Sequence, residues 1–331
     1  MKTVFSTQRG RIIHADALDC MAAMEAGSVN LVMTSPPFGL RRKKDYGGAA
    51  ADEYLDWFRP FASAIRRVLA ADGSLVIDIG GAWNAGRPTR SIYHFELLVM
   101  LVRECGFHLA QEFFWWNPAR LPTPAEWVTV RRIRVKDAVD CVWWLSPGEW
   151  PRADNRRVLL PYSPAMNRLL RRGYKPGRRP SGHQIGAGFA RNNRAAIPPN
   201  LIAAANTESN SAYLEQCRKQ GVKPHPARFP VVLPEMFIRM LTDSGDMVLD
   251  PFAGSCTTGE AAERLGRRWV CVERVEEYAL GGRLRFPVKP AEHRGKSYTI
   301  FHPASLWDTG GNTPALPADG GRNHKAAKKK P

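Results

Sequence analysis

The chain has 331 residues, long enough to bury a sizeable core in one large domain or two smaller ones, and its 44% hydrophobic and 24% charged content excludes a disordered or fibrous protein. Its 48 Lys and Arg against 31 Asp and Glu leave a formal charge of +17 and a pI near 10.0, which points to a polyanionic partner, since cations that neutralise phosphates release condensed counterions. Six cysteines without a CxxC pair exclude a zinc knuckle or disulfide framework, no metal is expected, and neither an apolar leader nor a run near the roughly 18 to 20 apolar residues of a membrane span is present.

A soluble, cytoplasmic protein with reduced thiols and no membrane partner is therefore expected. Residues 11–14 and 29–34 are short apolar runs suited to buried strands, with a helix predicted between them over 17–26. Leu55, Phe58, Phe61, Ile65, Val68 and Leu69 recur at helical spacing over 54–69, and Ala71-Asp72-Gly73 closes that helix before a strand at 74–79. A helix over 93–105 leads through Gly106 into an aromatic strand at 107–116. Strands alternating with helices predict an α/β fold with a mostly parallel sheet.

From 118 to 222 this rhythm is lost to proline, glycine, arginine and asparagine. That stretch holds 18 Lys or Arg against 7 Asp or Glu, a net of +11 and so most of the chain's excess. Trp127, Trp143, Trp144 and Trp150 are too many large aromatics for a solvated spacer, so a partly ordered insert facing nucleic acid is expected. The α/β rhythm resumes with a helix at 230–241, a strand at 247–249, a glycine-bearing turn, a helix at 258–265 and a strand at 269–272. Residues 289–331 are rich in Pro, Gly and Lys and read as a flexible basic tail.

Two segments carry chemistry. In Asp250-Pro251-Phe252-Ala253-Gly254-Ser255 a strand runs into a tight turn and then a helix, the arrangement that binds a nucleoside cofactor at the carboxyl ends of α/β strands. Glu273 follows the next strand, placed to hold ribose hydroxyls. Neither GxGxxG nor a P-loop is present, which disfavours a dinucleotide or nucleotide phosphates. In Thr34-Ser35-Pro36-Pro37-Phe38 another strand ends in a rigid turn. An exocyclic base amine is a poor nucleophile because its lone pair is delocalised into the ring. A catalyst has to accept that amine's hydrogens and draw the nitrogen towards tetrahedral geometry. The Pro36 carbonyl and the Ser35 hydroxyl can do this, Pro37 stiffens the turn, and Phe38 offers a ring on which an extruded base stacks.

TSPPF resembles motif IV, and DPFAGS motif I, of the DNA amino-methyltransferases. The order of the two resembles the circularly permuted β class. The resemblance spans residues 11–285. It implies a Rossmann-like fold with a mostly parallel seven-stranded sheet and S-adenosylmethionine as cofactor. The cofactor residues it implies are Asp16, Thr34, His225, Phe229, Asp250, Phe252, Ala253, Gly254, Ser255, Thr257, Thr258 and Glu273. It divides the chain into a catalytic half at 1–117, a target-recognition insert at 118–222 and a cofactor-binding half at 223–288. Phe114 or Trp116, in the place of motif VIII, would stack on the base, and Arg41, Arg42, Lys43 and Lys44 would meet DNA phosphates. The partner implied is double-stranded DNA near the nucleoid, for a monomeric or homodimeric enzyme; the resemblance leaves open whether a cognate restriction endonuclease accompanies it.

One departure is visible: the family usually has glycine where this chain has Cys256, and a Cβ there is costly if the position needs positive φ. A serine before Pro-Pro accompanies N4-cytosine methylation in the family, and Asp or Asn there N6-adenine, so Ser35 favours cytosine and leaves adenine as the alternative. Cytosine C5 chemistry needs a Pro-Cys nucleophile that the chain lacks. A nucleic-acid-binding protein that keeps the fold without activity is the rival from another class, and it would bind no S-adenosylmethionine.

Overall fold

The computed structural model describes residues 1–39, 47–173 and 195–286, together with 177–178, 180–182, 184–186, 188 and 191–193. The basic cluster Arg41, Arg42, Lys43 and Lys44 and the tail at 289–331 lie outside the described residues. Strands β1 (Lys2–Ser6) and β2 (Gly10–His14) are followed by α1 (Ala17–Ala22), β3 (Val29–Thr34), α2 (Tyr54–Val68), β4 (Leu69–Ile79), α3 (Tyr93–Arg103) and β5 (His108–Trp116). Next come β6 (Val139–Ser146), α4 (Pro164–Arg172), a two-residue pair β7 (Gly177–Arg178) and β8 (Gln184–Ile185), β9 (Leu201–Ala203) and α5 (Ser211–Lys219). The chain closes with α6 (Val232–Leu241), β10 (Met247–Asp250), α7 (Thr257–Arg264), β11 (Arg268–Glu273) and α8 (Glu276–Gly282).

The main sheet runs β1-β2-β11-β10-β3-β4-β6-β5-β9. From β2 to β4 all neighbours are parallel, and β6 is antiparallel to both β4 and β5. The expected seven strands thus form the centre of a nine-stranded sheet, to which β1 and β9 add one edge strand each. Alternation along the strands decides the layers. Val32 and Leu75 pack with Met21, Phe58, Ile65 and Leu97 of α1, α2 and α3. On the other face Leu31, Met33 and Val76 pack with Phe237, Ile238 and Ala261 of α6 and α7.

The stretch at 118–222 is not one irregular insert. Its residues 139–146 are β6, a central strand, with Val142 and Leu145 fully buried and Trp143 and Trp144 at 2% and 8% exposure. Two of the four tryptophans expected to face nucleic acid are therefore core, whereas Trp150 is 89% exposed. Composition hid the strand because its short apolar run is flanked by polar, basic segments.

Parallel pairing of β10 with β3 sets the carboxyl end of one beside that of the other. The chain departs from β10 towards β11 and from β3 towards β4, so the sheet order reverses between them. Open α/β sheets bind ligands at such a switch point.

Candidate active site

A cavity of about 620 Å³ opens over the carboxyl ends of these strands, within the roughly 300–1,000 Å³ usual for small-molecule sites. Beneath it Asp250 joins the two chemical segments, although they are 216 residues apart at this contact. Thr34 Oγ1 donates to Asp250 Oδ1 at 2.7 Å, Thr258 Oγ1 to Oδ2 at 2.7 Å, and the Phe252 N–H to Oδ1 at 3.2 Å. Asp250 is 1% exposed, and burial pushes its carboxyl up to about 6. Thr34, Asp250 and Thr258 are buried and do not line the cavity; they brace the turns that do.

One half of the cavity is built by Asp16, His225, Phe229 and the turn Phe252, Ala253, Gly254, Ser255 and Thr257, with Glu273 below. Asp16 follows β2 and caps α1, its Oδ1 accepting from the Leu18 N–H at 2.8 Å. Glu273 ends β11; Oε2 accepts from the Gly254 N–H at 2.9 Å and Oε1 from the Val275 N–H at 2.8 Å. Burial raises its carboxyl to about 7. Each oxygen keeps a lone pair for a ligand hydroxyl.

Gly254 has φ 51°, and a Cβ there would stand 3.1 Å from His225 Nδ1. His225 bonds the Ala227 carbonyl at 2.6 Å through that nitrogen, and burial lowers its pKa to about 4, so the ring is neutral. Cys256 does occupy the left-handed region, at φ 58°, as the residue capping α7. Phe252 is held by Phe61 and Trp57, at ring-centroid distances of 5.0 and 5.9 Å. Both α2 aromatics line the cavity, a role their helical spacing alone did not mark.

The other half contains Ser35, Pro36, Pro37 and Phe38. Gly80 lets this half close: a Cβ there would lie 2.6 Å from Phe38 Cε2 and 2.7 Å from Asp140 Oδ1. Asp78, near the end of β4, is 2% exposed and lies beside Ser35, whose hydroxyl partly offsets the upward push on its carboxyl. Burial, and secondarily the nearby Asp140, push the Asp78 carboxyl well above the usual carboxylate range. Its Oδ1 has no hydrogen-bond partner among the described residues, an unusual state for a buried oxygen. Arg120 grips Asp140 with both ends of its guanidinium, Nη1 reaching Oδ1 at 2.9 Å.

The sequence did not single out Asp78, Arg120 and Asp140. The signal for Asp78 was a carboxylate within the apolar run 75–79 at the end of β4.

Two sequence assignments shift. Phe114 and Trp116 do not line the cavity, whereas Trp115 between them does, 4% exposed and donating from Nε1 to the Ala204 carbonyl at 2.9 Å. The period of two along β5 forces this choice, because neighbours point to opposite faces.

The whole arrangement offers a polar and aromatic cleft with a nucleoside-sized half and a base-sized half. Residues 29–281 match the N6/N4 methyltransferase family model, described as a DNA methylase. The chain is 49% identical over 288 residues to the Type II methyltransferase M.PvuII of Proteus hauseri, covering 86% of each. It is similar to the solved PvuII DNA methyltransferase (cytosine-N4-specific), with 43% identity, a TM-score of 0.72 and coverage of 88% of this chain and 90% of that one. It is also similar to a DNA modification methylase of Thermus thermophilus solved with S-adenosyl-L-methionine, at 26% identity and a TM-score of 0.52, covering 85% and 93% of the two chains.

Proposed function

The chain belongs to the N6/N4 DNA methylase family, and on that premise we propose that it transfers the methyl group of S-adenosylmethionine to N4 of a cytosine in duplex DNA. The observation that carries this reading is that Ser35, Pro36 and the buried Asp78 line one cavity with the Gly254 turn.

S-adenosylmethionine, when bound, supplies a methyl group activated by a sulfonium. The residues present fit it. Glu273 would accept from the ribose hydroxyls, Asp16 would hold the adenine, and a Cβ-free Gly254 beside the neutral His225 ring would leave room for the methionine end. Phe252, braced by Trp57 and Phe61, walls the nucleoside.

In the other half the target base is held outside the duplex stack, because its amine cannot reach the methyl group inside it. With its O–H turned to the Asp78 carboxyl beside it, Ser35 would present its lone pairs to one N4 hydrogen and the Pro36 carbonyl would accept the other; as N4 gains the methyl, its surplus proton would leave through these acceptors to solvent. Phe38 and Trp115 flank the ring. The transfer needs no metal and no covalent enzyme intermediate, so its rate comes from alignment and exclusion of water. Arg120 and Asp140 fix the rim.

Exposed cations at 121–138 and 147–222, with Arg41, Arg42, Lys43 and Lys44, contact phosphates and carry the DNA grip. Relatives named as Type II methyltransferases support a cognate restriction endonuclease as partner, and the enzyme acts on nucleoid DNA in the cytoplasm as a monomer or homodimer.

Nucleoside mass spectrometry of DNA treated with the purified chain tests the reading. N4-methylcytosine is expected. N6-methyladenine would overturn the base assignment, and absence of any methylated nucleoside, with no S-adenosylmethionine binding, would favour the inactive DNA-binding alternative.

A further inference from the structure

The turn between β10 and α7 contains a non-glycine residue in the left-handed region, Cys256 at φ 58°. A side chain with a Cβ persists there only where its surroundings over-determine the backbone. Cys256 is fully buried, and its neighbours are fitted to it: a Cβ on Gly282 would stand 2.7 Å from Sγ, and the buried Cys271 thiol lies beside it. The backbone is held as tightly. The Cys256 N–H donates to the Ala253 carbonyl at 2.7 Å, and its own carbonyl accepts from the Glu260 N–H at 3.0 Å.

The remaining end of the 255–256 peptide is held from outside the turn. Arg285, its side chain 1% exposed, donates from Nε to the Ser255 carbonyl at 2.6 Å and from Nη2 to Ser255 Oγ at 2.9 Å. Nη1 pairs with Glu260 in the first turn of α7 at 2.8 Å, and Nη2 also meets Asn210 Oδ1 at 2.6 Å. The guanidinium lies over the Tyr213 ring, 4.4 Å from its centroid. Taking a guanidinium out of water is costly unless its donors are all used, and every one of these bonds converges on the turn, on α7 or on the α5 segment packed behind it.

We infer that Arg285 is a positioning residue for the cofactor turn: it fixes the Ser255 carbonyl and so allows a cysteine to stand at the left-handed position 256, keeping the 253–257 backbone in place as the cavity wall. Arg285 itself does not line that cavity. The planar fork matters, because Nε and Nη2 reach the backbone and side chain of Ser255 together while Nη1 reaches Glu260, a set that one ammonium cannot span.

The inference rests on S-adenosylmethionine being the ligand of this turn. The test is a double-mutant cycle of Arg285→Lys and Cys256→Gly, read by calorimetric S-adenosylmethionine binding to the full chain and by steady-state methylation kinetics. Arg285→Lys is expected to weaken binding about tenfold, the size of one strained backbone position, with the loss on the cofactor KM rather than on kcat. Cys256→Gly in the Arg285→Lys background is expected to restore binding to within about twofold, since glycine adopts positive φ without a side-chain clash.

Unchanged binding in Arg285→Lys, or a double variant as weak as the single, overturns the inference while leaving the cofactor reading intact. Wild-type chain that binds no S-adenosylmethionine overturns both. If Arg285→Lys does not fold, Glu260→Gln releases one arm of the guanidinium and carries the same test. About threefold weaker binding, reversed by Cys256→Gly, supports the inference, and no reversal overturns it.

Discussion

Gly80→Ala isolates the base-sized half of the cavity. The added Cβ would stand 2.6 Å from Phe38 Cε2, 3.1 Å from Phe38 Cδ2 and 2.7 Å from Asp140 Oδ1. Ordinary carbon contacts begin near roughly 3.5 Å, so the Phe38 ring or the Arg120–Asp140 pair has to retreat by roughly 1 Å. The backbone cannot give way instead, because the Tyr93 hydroxyl donates to the Gly80 carbonyl. Gly80 is not at positive φ, so alanine adds no backbone strain there.

A misplacement of about 1 Å at a reacting centre costs on the order of a hundredfold in rate. The expected outcome is kcat for DNA methylation lowered about a hundredfold, with S-adenosylmethionine affinity within twofold of wild type, because the turn at 252–257 and Glu273 are untouched. Radiolabelled methyl transfer at saturating cofactor measures the first and calorimetry the second. Retention of kcat within threefold would refute Phe38 and Asp140 as walls of the base site.

Glu273 should impose a pH dependence on cofactor binding. Its carboxyl sits at about 7 in the free protein, and an ionised carboxylate is the better acceptor for ribose hydroxyls, so affinity is expected to fall about tenfold between pH 8 and pH 6. Calorimetry across that range checks this, and Glu273→Gln should flatten the profile.

Asp250→Ala leaves two threonine hydroxyls and a backbone N–H without their acceptor and should cost about 3 kcal/mol in denaturant unfolding. With its folded value raised to about 6 from 3.8, Asp250 contributes stability that is complete below the unfolded value and is lost as pH rises through about 6. Asp250→Asn should remove that slope. Trp115→Ala should lower kcat at least tenfold, whereas Phe114→Ala should change it less than threefold, since stacking on one base is worth about 1–3 kcal/mol. Equal losses from both would contradict the parity of β5.

The sequence alone determined the chemistry and the strand-turn units that present it. TSPPF and DPFAGS are local, and their prolines, glycine and flanking apolar runs prescribe turns at strand ends whatever the rest of the chain does. Fold class and cofactor were legible for the same reason.

What lay beyond local reading depends on contacts between distant segments. Thr34 and Thr258 look like ligand residues in sequence, but pairing of β10 with β3 turns both hydroxyls onto Asp250, away from the cavity. Asp78, Arg120 and Asp140 come from β4, the β5–β6 connection and the start of β6; parallel pairing of β3 with β4 sets Asp78 beside Ser35, and the antiparallel placement of β6 beside β4 adds Asp140 and its partner Arg120. The choice of Trp115 over its neighbours was settled by which face of β5 the sheet buries. Thr34-Ser35-Pro36-Pro37-Phe38 can specify its own turn, but not the carboxylate that stands beside its serine, because that neighbour is set by the order of the strands.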